Sequence, residues 1–228
     1  ACLRHEPGQH HPESPQRLLA VRRALQTPEF AALSWREAPL GSDAQVKLVH
    51  DSDYVDWVQS VAPEQGLHAL DGGDTVMSPG TLEAVLRCVG AACAGVDAVV
   101  AGEARNVFCA TRPCGHHAEA ERAMGFCVFN QAAIAALHAR QQHGLRRVAV
   151  IDFDVHHGNG TQQAFYDDAD LFYGSSHQSP FYPGTGARHE SGVARNIVNI
   201  PLSRGAGSAE FRERMAADML PALSRFAP

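Results

Sequence analysis

The stretch VIDFDVHHGNGTQ, residues 150 to 162, sets Asp152, Asp154, His156 and His157 at the carboxyl end of an apolar run. Ionisable groups in such a place must be paired, hydrogen-bonded or bound to a metal. Along an extended segment Asp152, Asp154 and His156 sit at i, i+2 and i+4 and project to one side, while Val155 and His157 project to the other. One carboxylate and one imidazole from that row suit a catalytic Zn²⁺, which takes three protein ligands and keeps a position open for water. Gly158 and Gly160 let the backbone turn away behind the ligands.

A second polar cluster follows another apolar run. NVFCA, 106 to 110, leads into TRPCGHHAEAERAMGFCVFN, which carries the tandem His116 and His117. A metal-activated water needs a neutral imidazole to take its proton, and a departing amine needs a protonated one. Histidine alone supplies both near neutral pH without perturbation. Asp152 and Asn159 are the groups available to fix the two ring tautomers from behind. A single His or Asp at a strand end is usually a capped or solvated residue, but two His-His pairs and an Asp-x-Asp-x-His row on one edge are not. His5, His10 and His11 read as loop residues, His138 and His143 as surface or boundary positions of a helix, and DGGDT (71 to 75) as a turn.

These clusters need a scaffold, and the chain supplies one. ESPQRLLAVRRAL (13 to 25) reads as a helix with Ser14 and Pro15 at its start, and DSDYVDWVQSV (51 to 61) as another with Tyr54, Val55 and Val58 inward. A long Ala- and Val-rich helix follows from 81 to about 100. The apolar runs 106 to 110, 147 to 153, 171 to 176 and 196 to 202 read as strands, the second of them fully buried. Helices are expected at 131 to 144, closed by Gly144, and from 208 to 226. Apolar strands alternating with helices indicate an α/β fold, a mostly parallel central sheet flanked by helices, in which ligands gather at the carboxyl ends of the strands.

Composition narrows the classes. At 228 residues and 45% hydrophobic, one domain is the default, spanning 1 to 228. A formal charge of -6 with Lys and Arg dispersed argues against a direct nucleic-acid ligand, and no apolar run is long enough for a membrane span. The six cysteines form no CxxC pair and read as reduced core thiols of a cytoplasmic protein.

HPESPQRL, RPCGHHAE, MGFCVFN, VIDFDVHHGNGTQ and SSHQSPFYPGTG, in this order and over nearly the whole chain, closely resemble the zinc-dependent histone deacetylase family in its class II and bacterial amidohydrolase-like branch. The resemblance implies the three-layer arginase-deacetylase fold and hydrolysis of an acetyl-amide on a lysine side chain or a polyamine. It implies that Asp154 and His156 are two of three zinc ligands, that His116 and His117 are the catalytic pair with His117 as base and acid, and that Asp152 partners the first histidine. Asn159 stands where some branches carry Asp. Phe126 and Tyr182 match the walls of a narrow acyl-lysine channel. Asp152, Asp154, His156, Ser175 and Ser176 correspond to a monovalent-cation site that usually holds K⁺.

Two expected parts are absent. The family takes its third zinc ligand from an Asp in a later GFDAH-like segment and its carbonyl-polarising Tyr from a later Gly-Gly-Tyr. After Pro201 this chain has only Glu210, Glu213 and Asp218 as acids, and it has no Tyr after Tyr182. The expectation is a fragment with weak or no turnover. Its alternatives are a binuclear manganese ureohydrolase of the same fold, and a non-catalytic module that binds acylated ligands.

Overall fold

The computed structural model describes residues 1–228. The amino-terminal half is helical: α1 (Pro15–Leu25), α2 (Asp43–Val46) and α3 (Ser52–Ser60) precede a small antiparallel pair, β1 (His68–Ala69) with β2 (Val76–Met77), and then α4 (Thr81–Val100). The second half alternates: α5 (Gln131–His143), β3 (Val148–Asp152), α6 (Asn159–Phe165), β4 (Leu171–Gln178), β5 (Ile197–Leu202), α7 (Ser208–Arg214) and α8 (Leu220–Phe226). No helix is long and apolar enough to cross a membrane.

The three main strands run parallel in the order β3, β4, β5, with Asp152 opposite Ser175 and Ser175 opposite Asn199. Strand alternation divides the core into two faces. Leu171 and Tyr173 of β4 with Ile197 of β5 pack under Ala133 and Ala136 of α5 and Phe165 of α6. Phe172 and Ile200 face the other way, onto Met219 and Ala222. A third core joins α3, α4 and α5 through Val55, Val58, Val85, Val89 and Ile134, with Phe129 beneath them. The result is the expected parallel sheet between helical layers.

Several expectations are corrected. Residues 106 to 110 form no strand; the segment pairs with no ladder, and Val107 and Phe108 are exposed. An apolar run becomes a strand only when a neighbour takes up its backbone groups. The run at 147 to 153 is a strand, but an edge one: β4 is its only partner, all five residues of β3 are half-buried, and Phe153 is exposed. The terminal helix is interrupted by a π turn, Met215–Met219. Helix α5 does end at Gly144, whose φ of 66° is the left-handed cap conformation. Of the cysteines, Cys88, Cys93 and Cys127 are buried, Cys2 and Cys114 are half-buried and Cys109 is exposed; all six are free.

Candidate active site

Strand β3 ends at Asp152, so the Asp152, Asp154, His156 row does not continue as a strand. Two side-chain hydrogen bonds bend it instead: the Asp154 amide donates to Asp152 Oδ1 at 3.1 Å, and the His156 amide donates to Asp154 Oδ1 at 2.8 Å. Short acidic side chains commonly shape turns in this way. The bends draw Asp152 inward, while Asp154 and His156 stay partly open to solvent.

The two histidine clusters meet here. His116 Nδ1 lies 2.8 Å from Asp152 Oδ2, and His117 Nδ1 lies 2.9 Å from Asn159 Oδ1. Both pairings follow the sequence expectation. Asn159 sits in the first turn of α6, and its Nδ2 donates to Glu119 Oε1 at 2.7 Å and to the His117 carbonyl at 3.3 Å, which turns the amide oxygen toward the ring. Tyr173, fully buried on β4, donates its hydroxyl to Asp152 Oδ2 at 3.0 Å. Asp152 therefore accepts from a backbone amide, an imidazole and a phenol.

These partners drive the two rings apart electrostatically. Burial presses on His116, but the hydrogen bond and charge of Asp152 outweigh it and its pKa rises. Burial and then the charge of neighbouring His116 pull His117 down to about 4. Burial opposes ionisation of Asp152, yet its bond to His116 wins and holds the carboxyl below its usual range. With the ring centroids 4.0 Å apart and the planes tilted by 43°, the charged form is thus favoured on His116 and disfavoured on His117.

The glycines act by close approach rather than by turning the chain. A Cβ on Gly158 would stand 2.5 Å from Asp152 Oδ2 and 2.6 Å from the Tyr173 hydroxyl. On Gly160 it would stand 2.0 Å from the Ala118 carbonyl oxygen, because the Gly160 amide donates to the His116 carbonyl at 3.0 Å. Backbone cannot yield as a flexible side chain can. Gly160→Ala is therefore expected to lower stability by about 1–3 kcal/mol, as overpacking does; denaturant titration reads it, and an unchanged midpoint would contradict the contact.

Aromatic groups surround the pair. Tyr182 meets His117 edge-on at 5.1 Å, and Phe181, which sequence reasoning missed, stacks on His156 at 4.9 Å with 7° between the planes. Phe126 is held with φ 69° while its amide donates to Thr75 Oγ1 at 3.1 Å. His11 packs edge-on to Phe126 at 4.7 Å, and its Nε2 lies 3.1 Å from the Asp74 carbonyl oxygen. His11 is therefore at the site and not a bystander in a loop. The 71 to 75 segment is a turn as expected: Asp71 Oδ1 accepts from the amides of Gly73, Asp74 and Thr75. That turn also carries negative charge toward Tyr182, whose pKa burial and then Asp74 push up to about 12.

The loop bearing the tandem histidines is anchored by a buried ion pair that no sequence motif announces. Arg112 donates through Nε to Glu13 Oε1 at 2.9 Å and through a second nitrogen to Oε2, while Nη1 donates to the carbonyls of Cys2 and His5, each at 2.6 Å. Glu13 has no solvent exposure, and His5 Nε2 stands 3.3 Å from the same Oε2.

For a metal, Asp154 Oδ1 and His156 Nδ1 lie 3.2 Å apart and present a carboxylate oxygen and an imidazole nitrogen to one place. This donor chemistry suits zinc. No third His, Cys, Asp or Glu donor joins them; the three-donor group in this structure lies elsewhere, at Asp97, His138 and His143. Of the residues expected around a monovalent cation, Ser175 stands opposite Asp152 but gives its hydroxyl to His177 Nδ1 at 2.9 Å. The Ser176 hydroxyl is buried without a partner, and strand alternation directs it to the opposite face of β4.

A parallel sheet carries paired imidazoles and an Asp–His donor pair at its carboxyl edge, an arrangement suited to metal-assisted hydrolysis. The histone deacetylase domain model matches residues 11–228, and the chain belongs to the histone deacetylase family. It is 36% identical to the histone deacetylase-like amidohydrolase of Pseudomonas aeruginosa over 250 residues, covering 100% of this chain and 65% of that protein. It is 37% identical to the human polyamine deacetylase HDAC10 over 234 residues, 95% of this chain and 34% of that protein. The solved HDA15 HD domain superposes with a TM-score of 0.91 at 34% identity, over 100% of this chain and 67% of that one. The chain spans 54% to 75% of the length of four curated relatives it matches.

Proposed function

We propose that this domain hydrolyses the acetyl-amide of an acetylated lysine or polyamine with zinc as cofactor. The observation that carries the reading is the unlike pair: adjacent imidazoles, one backed by a carboxylate and one by an amide. Asp154 and His156, with a further protein ligand, would hold the zinc, which would supply Lewis acidity for the amide carbonyl and the attacking water. Asn159 Oδ1 accepts the Nδ1 proton of His117 and leaves the Nε2 lone pair free to take a proton from water. The same Nε2 then delivers it to the departing amine. Asp152 favours the charged form of His116, and positive charge there would stabilise the carbonyl oxygen as it gains negative charge.

Phe126, Tyr182 and Phe181 suit a long methylene chain, and Asp71 and Asp74 beside Tyr182 suit a cationic one. Two donors do not complete a zinc site. With two of its donors within these residues, the site is accordingly expected to hold zinc weakly and to turn over slowly, so the assay is run with zinc in excess. The test is acetate release by the zinc-loaded protein from an acetyl-lysine peptide and from a monoacetylated polyamine. Turnover of at least one, lost in Asp154→Asn, is expected; no release from either by a metal-loaded protein would overturn the reading.

A further inference from the structure

Of the two α5 histidines that the sequence places at surface or boundary positions, His143 is such a boundary residue and His138 is not. His138 is buried, and both rings direct Nε2 at one oxygen: His138 Nε2 and His143 Nε2 each lie 2.7 Å from Asp97 Oδ1. Asp97 comes from the last turn of α4, and the two histidines come from the carboxyl-terminal part of α5. The ring centroids are 5.9 Å apart with the planes at 79°, so the two Nε2 atoms approach the carboxylate from different directions.

We propose that Asp97, His138 and His143 form a second metal site, taking a divalent first-row transition ion of the zinc class and clipping the end of α4 to the end of α5. Two imidazole nitrogens and one carboxylate oxygen are a donor set that zinc, cobalt, nickel and copper accept. The three donors already converge, every pair within 4.8 Å. Tetrahedral bonds of 2.0–2.1 Å place donors roughly 3.3 Å apart, so the 2.7 Å contacts open by about 0.6 Å to admit an ion. Both rings must then carry their remaining proton on Nδ1, and any Nε2 proton leaves to solvent as the metal enters. Asp97 is half-exposed and His143 is partly open, which leaves a route for the ion and a fourth position for water.

This site is separate from the catalytic pair. Asn130, the cap of α5, donates to the Ala118 carbonyl beside the tandem histidines, whereas His143 closes the helix thirteen residues later. At 1.5 Å per residue the two ends are about 20 Å apart. The ion would serve the helical layer and not the reacting amide.

The test uses the protein with Asp154→Asn and His156→Ala, which removes the catalytic donors, dialysed against zinc alone and then against buffer. One retained equivalent, together with a raised unfolding temperature, is expected. Adding His143→Ala should abolish both, and adding the near-isosteric Asp97→Asn should weaken retention while the metal-free unfolding temperature stays close to its parent's. Cobalt in place of zinc should give the strong visible bands of a tetrahedral site, lost with the same substitutions. No retained metal in the folded parent, or equal retention after His143→Ala and Asp97→Asn, would overturn the proposal.

Discussion

His117→Ala is expected to lower kcat for acetate release by about 10²- to 10⁴-fold, the usual contribution of a positioned general base, with KM nearly unchanged. The ring makes its hydrogen bond to Asn159 and lies tilted against His116 and edge-on to Tyr182, so its loss removes a proton carrier while the aromatic walls of the channel remain. Because burial and His116 hold His117 at about 4 in the metal-free protein, the ring is a ready base throughout the neutral range and needs no deprotonation first. Asn159→Ala should produce a smaller fall in the same kcat, since the ring would lose the acceptor that fixes its tautomer. A kcat left intact in His117→Ala would remove the assignment of base and acid together.

The largest effect on stability is expected from Arg112→Ala. It strands Glu13, wholly buried, without its main counter-charge, and leaves the carbonyls of Cys2 and His5 without their donor. Breaking a buried pair from one side costs about 3–5 kcal/mol, read as a shift in the denaturant midpoint. The double variant Glu13→Leu with Arg112→Met should recover much of the loss, because no charge is then left buried. Acid provides an independent check. Burial opposes the charge on Glu13, but His5 and Arg112 outweigh it and hold its folded pKa below the usual carboxylate range. Its stabilisation is thus complete at neutral pH and declines as pH falls through that lowered value. Glu13→Gln should flatten this acid limb of the stability curve; an identical acid limb in both proteins would contradict the ion pair.

How far the sequence carried the fold depended on what each residue needed to declare itself. Parallel strands β4 and β5 were legible because they are apolar on both faces and bounded by helical periodicity. The 106 to 110 segment has the same composition, but a strand needs a ladder partner, and composition does not disclose one. His116, Asp152, His117 and Asn159 were legible as a site because their residue types call for one another, two imidazoles with a carboxylate and an amide to fix them; the loop after 110 brings the histidines to the edge at Asp152 although the run before it is no strand. Glu13 with Arg112, and Asp97 with His138, were not. Those partners lie 99 and 41 residues apart, and an acid or a histidine on a helix looks the same in sequence whether it meets water or another side chain. In sequence Gly158 and Gly160 read as points of backbone freedom; in the structure the missing Cβ itself is what lets Asp152, Tyr173 and Ala118 come close. His11 gave no periodic signal, and its place against Phe126 arises from the fold alone.

The claim at the centre of this account is that the His116, His117, Asp154 and His156 constellation cleaves an acetyl-amide with zinc. The most direct measurement is acetate release from an acetyl-lysine peptide and a monoacetylated polyamine by the protein stripped of metal, before and after zinc is returned. The account predicts no release from the stripped protein and recovery of turnover with zinc, with recovery absent in Asp154→Asn. Undiminished release from the metal-free protein would contradict it.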